Sequence, residues 1–418
     1  MKLAVVGAGS TYTPELVAGL AGLELEQVAL HDVDASRLEV VGGLAGRMLD
    51  RVGFRGELEL LDRLDESVAD ADFVLVQIRV GGQAARLRDE TAPLPCGCIG
   101  QETTGAGGFA KAMRTVPVVL AIAERVRELG GPDAWIVDFT NPVGIVTRAL
   151  LDAGHRAVGL CNVAITFQRR FAALLDVDAA RVVVDQVGLN HLTWVRAVRV
   201  DGRDVLHDLL ADRAEELADE VQLPARLLEE LGAVPSYYLR YFYEHDAVLA
   251  EQLEGVPRAE TVAEIERGLL ELYRDPTLDQ KPALLEQRGG AFYSEAAAGL
   301  VRSLAYDIPE VHEVDLRNEG VLAGLAADDV VEVPARVDSG RIVPLEQAPL
   351  APELLGLVEH AKAYERLAVR AAKSGSRRDA LLALLVNPLV PDYATAGPLL
   401  DALLEANRAL LPRFFTAA

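Results

Sequence analysis

Residues 2–10, KLAVVGAGS, are the most informative stretch for predicting the fold of this 418-residue chain. The apolar run is typical of a β-strand, and it leads into the glycine turn GAGS at positions 7–10. The helical stretch TPELVAGLAGL follows from Thr13, with Pro14 in the first turn, where proline is well tolerated. Glycines between a strand and a helix let the backbone approach a pyrophosphate, whose charge the helix N-terminus favours. Tyr12 stands where G-x-G-x-x-G has its third glycine, so this turn alone is a weak signal.

Asp32 strengthens the dinucleotide interpretation. It ends the second predicted strand, QVALHDVD, and follows Gly7 by 25 positions. A carboxylate there suits the two ribose hydroxyls of NAD and repels the additional phosphate of NADP. We therefore predict NAD as a cofactor, and the alternative is an ordinary turn beside a solvated aspartate. The residues predicted to bind NAD are Gly7, Gly9, Ser10, Thr11 and Asp32.

The first 165 residues alternate strand-like and helical patterns, which predicts a parallel sheet with right-handed crossovers. Further predicted strands are DFVLVQIRV (72–80), AWIVDFTNP (134–142) and RAVGLCNV (156–163). After residue 165 the sequence pattern changes. It predicts antiparallel strands, as in 186–202 with its Asp-Gly turn, and acidic helices. The predicted fold class is α/β. An NAD-binding Rossmann-like domain spans 1–165, and an α+β domain for substrate binding, metal binding and oligomerisation spans 166–418, as in the lactate and malate dehydrogenase superfold.

Charge and composition narrow the class of partner. The chain has 41 Lys and Arg against 64 Asp and Glu, a formal net charge of −23. Such a body repels nucleic acid and anionic membranes, and it binds an anionic substrate only where basic residues are concentrated. No run approaches the roughly 18–20 apolar residues of a membrane span, and no basic leader precedes an apolar region. Three cysteines do not make a disulfide framework, so we expect a reducing cytoplasm.

Three short stretches carry candidate chemistry. Asn141, in TNPVG, follows a predicted strand and so lies at the sheet edge where ligands bind, or else it begins the Pro142 turn. Cys161 and His191, 30 positions apart, offer a thiolate and an imidazole for a divalent metal, although a lone cysteine is usually a buried hydrophobe. The run SYYLRYFYEHD (236–246) is either an aromatic core stripe or the source of a tyrosine base. The candidate anion-binding residues are Arg86, Arg240, Arg258 and Arg288.

Together these stretches resemble glycoside hydrolase family 4, the NAD- and metal-dependent glycosidases that do not use a carboxylate pair. The resemblance covers almost the whole chain, and QETTGAGGF and the Cys-Asn and Asn-His pairs are its most specific parts. Its motifs are VVGAGSTYTPELVAGL, QIRVGGQAARLRDE, GCIGQETTGAGGF, FTNPVG, GLCNVAITF, GLNHL, YLRYFY, RGGAFYS and LLVNPLVPD.

The resemblance assigns roles to particular residues. It implies that Cys161 and His191 hold a divalent metal, with manganese expected, and that Tyr238 is the catalytic base, Tyr237 and Tyr241 being fallbacks. Asn162 stands where α-specific members carry an acidic Asp, which implies a preference for β-glycosides and leaves the general acid unassigned. Gly144 departs from the family, where Ser is frequent. The implied substrate contacts are Ile78, Arg86, Asn141, Asn162 and Arg258.

The resemblance also implies an activity: hydrolysis of 6-phospho-β-glucosides by NAD-dependent oxidation at carbon 3, elimination, water addition and re-reduction. It further implies a homo-oligomer, a dimer or a tetramer. One alternative is a family member acting on α-linked or unphosphorylated glycosides. Another is a dehydrogenase of the lactate/malate type, for which His191 has no evident Asp partner in sequence, and a third is a non-catalytic NAD sensor.

Overall fold

The computed structural model describes residues 1–289 and 292–415. Within these ranges thirteen strands form one sheet. The strands are β1 Lys2–Val6, β2 Gln27–His31, β3 Glu57–Leu61, β4 Phe73–Val76, β5 Trp135–Asp138, β6 Ala157–Gly159, β7 Val182–Leu189, β8 Leu192–Val200, β9 Arg203–Asp204, β10 Val234–Pro235, β11 Glu310–Arg317, β12 Val330–Asp338 and β13 Arg341–Pro344.

Helices cover both faces of this sheet. They are α1 Thr13–Leu20, α2 Ala35–Arg51, α3 Leu64–Val68, α4 Gly82–Thr91, α5 Gly105–Leu129, α6 Val143–Asp152, α7 Val163–Leu175, α8 Leu206–Val221, α9 Ala225–Leu231, α10 Arg240–Tyr243, α11 His245–Glu254, α12 Arg258–Tyr273, α13 Tyr293–Ala305, α14 Pro352–Ser374, α15 Arg377–Leu385 and α16 Tyr393–Ala406. Short 3₁₀ turns include Tyr237–Leu239 and Ala283–Arg288.

The N-terminal half of the sheet is parallel, in the order β3-β2-β1-β4-β5-β6. This is the strand order of dinucleotide-binding folds, in which the direction of winding reverses between β1 and β4 and opens a crevice at the carboxyl ends of the strands. Leu3, Ala4 and Val5 of β1 are fully buried, as expected for a strand covered on both faces. The predicted Rossmann-like sheet is confirmed.

The second half of the sheet is mainly antiparallel and continues the first half. β11 is joined to β6 by the pair Asp315 and Gly159, and β12, β7, β8 and β10 follow in that order. The Asp201-Gly202 turn between β8 and β9 has φ of 50° and 85°, as the predicted hairpin requires. The domain division at residue 165 stays a prediction, since one sheet runs through both halves.

Helix α5 is the main helix of the shared core. Its 25 residues are long and apolar enough to span a membrane by length and composition, and 78% of its most apolar window is buried within the chain. Lys111 and Arg114 interrupt its apolar residues, so the expectation that no run approaches roughly 18–20 apolar residues is not contradicted by this helix. The apolar residues of α5 are explained by packing inside the protein. Helices α14 and α6 lie against α5 and form one hydrophobic cluster with it and with the parallel strands.

Candidate active site

A cleft of about 920 Å³ lies at the carboxyl edge of β1, β2 and β4. Gly7, Gly9, Ser10 and Asp32 line it, as predicted for the dinucleotide. Gly7 has φ of +93°, and a Cβ there would lie 2.8 Å from the carbonyl oxygen of Gln77, so the turn needs glycine. The turn is also tied to the predicted ribose ligand, because the Gly9 N–H donates to Asp32 Oδ2 at 2.8 Å.

Three other predicted ligands take different places around the cleft. Ile78 and Asn141 line it, and Asn141 Oδ1 is buried with no hydrogen-bond partner among residues 1–289 and 292–415. Such an orphaned acceptor at a cleft wall fits a bound ligand that donates to it. Thr11 is fully buried outside the lining, and its carbonyl oxygen accepts a hydrogen bond from Tyr273 at 2.6 Å. Its role in binding NAD stays a prediction.

A charged group borders the glycine turn, and its centre, Glu266, was not predicted from the sequence. Glu266 accepts hydrogen bonds from Arg37, Gln83 and Arg288 at 3.0, 3.1 and 3.2 Å. Arg288, noted from sequence only as one candidate anion binder among four, also places a guanidinium nitrogen 3.5 Å from Ser10 Oγ. The cleft therefore has a cation beside the turn that is predicted to receive the pyrophosphate.

The structure stacks His191 on Tyr238 and places Cys161 close enough to raise the pKa of Tyr238. Cys161 lies two residues after the end of β6, and His191 lies in the two-residue turn between β7 and β8 with φ of +62°. The rings of His191 and Tyr238 are stacked, with centroids 3.7 Å apart and planes inclined by 13°. Tyr293, whose role was not predicted from the sequence, lies close enough to Cys161 to interact with it electrostatically, and its ring packs edge-on against that of Phe139 with centroids 5.5 Å apart.

Cys161 is set in surroundings that call for a cation. Burial raises the pKa of its thiol well above the usual value, and the carboxyl groups of Glu332 and Asp315 raise it further, against a hydrogen bond from Asn190. A thiolate there needs a positive partner. Burial lowers the pKa of His191 to about 3, so its imidazole is neutral, as a metal ligand must be.

The donor set fits a metal that is shared with a substrate. The described part of the chain contains no group of three His, Cys, Asp or Glu side chains suited to hold a metal. Cys161 and His191 would then supply two protein ligands, a soft sulfur and an imidazole nitrogen, and would leave coordination positions open for substrate oxygens.

Tyr238 also depends on nearby positive charge. Burial raises the pKa of its phenol well above 10, and Cys161, Tyr241 and Glu102 raise it further, whereas Arg86 lowers it. A tyrosine base at neutral pH needs the opposite shift. The arrangement therefore supports a base only when a cation lies close to Tyr238.

A buried ion cluster around Glu102 lies next to this group, and its arrangement was not predicted. Glu102 Oε2 is 2.6 Å from Lys111 Nζ, Glu102 Oε1 is 3.3 Å from Arg86 Nε, and Arg79 also pairs with it. Arg86 in turn donates to Glu90 Oε1 at 2.7 Å. Burial and the charge of Arg79 lower the pKa of Lys111 to about 7, so the cluster has a net positive charge only when that amine is protonated. The motif QETTGAGGF contains Glu102, but nothing in the sequence indicated its partners.

Arg258 and Asn162 complete the predicted set. Arg258 begins α12, is exposed, and donates to the carbonyl of Gln287 at 2.9 Å, away from the cleft lining. The start of α12 is nevertheless linked to Arg86, because Glu90 Oε2 accepts the backbone N–H of Ala259 at 2.7 Å. Asn162 is half-buried beside Cys161 at the start of α7. Substrate contact by either residue stays a prediction.

Comparison with known proteins shows the family of this chain. The family model described as family 4 glycosyl hydrolase matches residues 2–177, and the model of its C-terminal domain matches 186–390. A probable 6-phospho-beta-glucosidase of Bacillus subtilis is 40% identical, over 99% of this chain and 98% of the relative. The 6-phospho-beta-glucosidase BglT of Thermotoga maritima is 36% identical, over 98% of this chain and 99% of the relative.

Solved structures give the same result. The Thermotoga maritima 6-phospho-beta glucosidase with NAD and glucose-6-phosphate superposes with a TM-score of 0.93 over 98% of this chain and 99% of that chain, at 36% identity. The form with manganese, NAD+ and glucose-6-phosphate gives 0.91 over the same shares, also at 36% identity. Malate dehydrogenase from Plasmodium falciparum, at 13% identity, gives 0.53 over 89% of this chain and 99% of that chain, and shows only the shared fold. This chain belongs to the family 4 glycosyl hydrolases.

Proposed function

We propose that this protein hydrolyses 6-phospho-β-glucosides with NAD and a divalent metal, manganese being expected. The observation that carries the proposal is the stacking of His191 on Tyr238, with Cys161 close enough to raise the pKa of Tyr238, in a chain that also forms a dinucleotide cleft. Relatives at 36–40% identity bear the name 6-phospho-beta-glucosidase. A solved relative holds manganese, NAD+ and glucose-6-phosphate together, which supports the same requirements here.

The chain's own residues would divide the chemistry as follows. NAD would supply the hydride acceptor for carbon 3 of the sugar, and the metal would polarise the neighbouring oxygens. Cys161 and His191 would hold the metal, and Asn141 offers its orphaned oxygen at the cleft wall. Tyr238 would take the proton from carbon 2, which a ketone at carbon 3 makes acidic. Arg86 acts to lower the pKa of Tyr238, against the larger effect of burial, and a bound cation would lower it further.

The preference for a phosphorylated β-glycoside rests on charge and on one residue type. Arg79 and Arg86 pair with Glu102 and Glu90, and Lys111, whose pKa burial lowers to about 7, adds positive charge when it is protonated. An anionic sugar close to this cluster would favour that protonated form. A guanidinium group can donate two parallel hydrogen bonds to two oxygens of one phosphate. Asn162 has no carboxylic proton to give, so the acid role found in α-specific members is absent at this position.

The protein's surroundings are part of the same proposal. A net charge of −23 disfavours nucleic acid and anionic membranes as partners. The three cysteines are all free thiols, which suits a reducing compartment such as the cytoplasm. We propose a homo-oligomer, a dimer or a tetramer, whose state a sedimentation measurement would give.

The decisive assay compares p-nitrophenyl β-glucoside 6-phosphate with its unphosphorylated and α-linked counterparts, with NAD and manganese present. We expect turnover of the first compound, loss of activity with EDTA and thiol reductant, and recovery on adding manganese. NADH should not accumulate, because the hydride returns to the sugar. Activity unaffected by EDTA, or steady accumulation of NADH, would favour the dehydrogenase alternative. Preference for the α or the unphosphorylated compound would contradict the substrate assignment.

A further inference from the structure

Within residues 1–289 and 292–415, the buried imidazole of His191 has one hydrogen-bonding partner, the side chain of Thr103. His191 Nδ1 lies 2.9 Å from the hydroxyl oxygen of Thr103, 88 positions earlier in the chain. Thr103 Oγ1 in turn lies 2.8 Å from Oε1 of Gln101. His191 and Thr103 are both buried, with 3% and 9% of their surfaces exposed. The two contacts therefore form a chain that leads from the buried ring nitrogen through the buried hydroxyl to the amide oxygen of Gln101.

The chemistry of these groups decides where the protons lie. An amide oxygen only accepts hydrogen bonds, so the single hydroxyl proton of Thr103 points to Gln101. The hydroxyl oxygen is then left to accept from His191, and Nδ1 must carry the ring proton. A neutral imidazole carries one proton, so Nε2 keeps its lone pair.

The orientation of the Gln101 amide is itself determined. Its Oε1 also accepts the backbone N–H groups of Thr103 and Thr104, the latter at 2.9 Å. If the amide were flipped, its NH2 group would face these two N–H donors with no acceptor between them, so the flipped orientation is excluded. The preceding residue is held as well, because Gln252 of α11 donates to the carbonyl of Gly100 at 3.1 Å and accepts its N–H at 2.9 Å.

We propose that Thr103 is a positioning residue: it fixes His191 in the Nδ1–H tautomer and so directs the Nε2 lone pair to the metal. The proposal rests on the proposed function, which makes His191 a metal ligand. Groups that hold the outer nitrogen of a ligating histidine fix its orientation and tautomer, and their loss typically costs about 10–100-fold in metal affinity.

Two variants and a matched control test this role. Thr103→Val keeps the shape of the side chain and removes the hydroxyl, whereas Thr103→Ser keeps the hydroxyl. Thr104→Val is the control, because Thr104 Oγ1 also reaches Gln101 Oε1, at 3.2 Å, whereas the hydrogen bond to the His191 ring comes from Thr103. Each variant is titrated with manganese chloride, and the free ion is followed by its electron paramagnetic resonance signal. Thermal melting and NAD binding verify that each variant is folded.

We expect Thr103→Val to raise the Kd for manganese about 10–100-fold, and Thr103→Ser and Thr104→Val to stay within about threefold of the unchanged protein. An unchanged Kd in Thr103→Val, or an equal loss in Thr104→Val, would overturn the proposal. Failure of Thr103→Ser to retain the affinity would do so as well.

A second measurement needs no variant at Thr103. In the metal-free protein, long-range ¹H–¹⁵N correlation spectra of labelled histidine distinguish the two ring tautomers, and His191→Gln identifies the signal. The Nδ1–H form supports the proposal and the Nε2–H form refutes it. The spectrum is independent of catalysis: an inactive protein with the Nδ1–H form would contradict only the glycosidase assignment, and an active one with the Nε2–H form only the inference.

Discussion

Gly108 lies in the first turns of α5, within the motif QETTGAGGF, and the loop that contains Thr103 lies directly against it. A Cβ at Gly108 would stand 2.5 Å from the carbonyl carbon of Thr103 and 2.6 Å from its oxygen. Carbon atoms in contact stay about 3.5 Å apart or more, so Gly108→Ala must move the loop by roughly 1 Å. Both atoms belong to the backbone, and no side-chain rotation relieves the clash.

That displacement exceeds what the hydrogen bond from His191 tolerates. The bond measures 2.9 Å, and a separation of about 3.6 Å is no longer a hydrogen bond. We therefore expect Gly108→Ala to raise the Kd for manganese about tenfold or more, as removal of an outer histidine partner does. The overpacking should also cost about 1–3 kcal/mol of stability, more than the roughly 0.5–1 kcal/mol that alanine gains over glycine in a helix.

Gly356→Ala is the matched control, because Gly356 lies in α14 and a methyl group added there would meet no atom of the described residues within 4 Å. It should melt slightly higher than the unchanged protein and bind manganese normally. The assay pairs thermal melting with the manganese titration for both variants. If Gly108→Ala also melted higher and kept its affinity for manganese, the close packing of the loop on α5 would not control the position of His191.

Three other outcomes are expected. Tyr238→Phe should lower turnover about 10²–10⁴-fold, the usual contribution of a positioned base, at an unchanged Kd for NAD; near-normal turnover would show that another group takes the proton. Asp32→Ala should weaken NAD binding about tenfold or more, since hydrogen bonds to charged groups contribute about 1.5–3 kcal/mol, and it should reduce the ratio of NAD affinity to NADP affinity. Fluorescence titration with both reduced dinucleotides measures the two affinities. An unaltered ratio would contradict the role of the carboxylate. Manganese affinity should rise with pH, because the raised pKa of Cys161 means that binding displaces a thiol proton; the logarithm of affinity should rise by about one per pH unit below that pKa, and a flat profile would show that the thiol is not a ligand.

Much of the fold followed from local pattern. Buried parallel strands are continuous apolar runs, and the runs at β1, β2, β4, β5 and β6 were found from sequence alone. The joining of the two halves was not found, because a single pair, Asp315 with Gly159, connects β11 to β6. The burial of helix α5 was also not predicted. Its apolar composition reflects packing inside the protein, which is evident only in the folded chain.

The site was predicted unevenly for a similar reason. The roles of Cys161, His191 and Tyr238 were predicted from the family resemblance, and the structure stacks His191 on Tyr238 with Cys161 close enough to act on Tyr238. Glu102, Thr103 and Tyr293 lie in motifs that were also recognised, yet their roles were not predicted. Each acts through partners far along the chain, as Thr103 does with His191, and spacing gives no information on such pairs.

Local sequence alone predicts the strand, glycine turn and helix of a dinucleotide site, the carboxylate after β2, and the thiol, imidazole and phenol side chains. These predictions depend on neighbouring residues, whose periodicity and backbone freedom are local properties. The folded chain shows which hydroxyl lies against His191, which cations surround Glu102, and how closely the glycines of α5 let the loop approach. Burial, hydrogen-bond direction and electrostatic coupling arise between distant segments, and they exist only once the chain has folded.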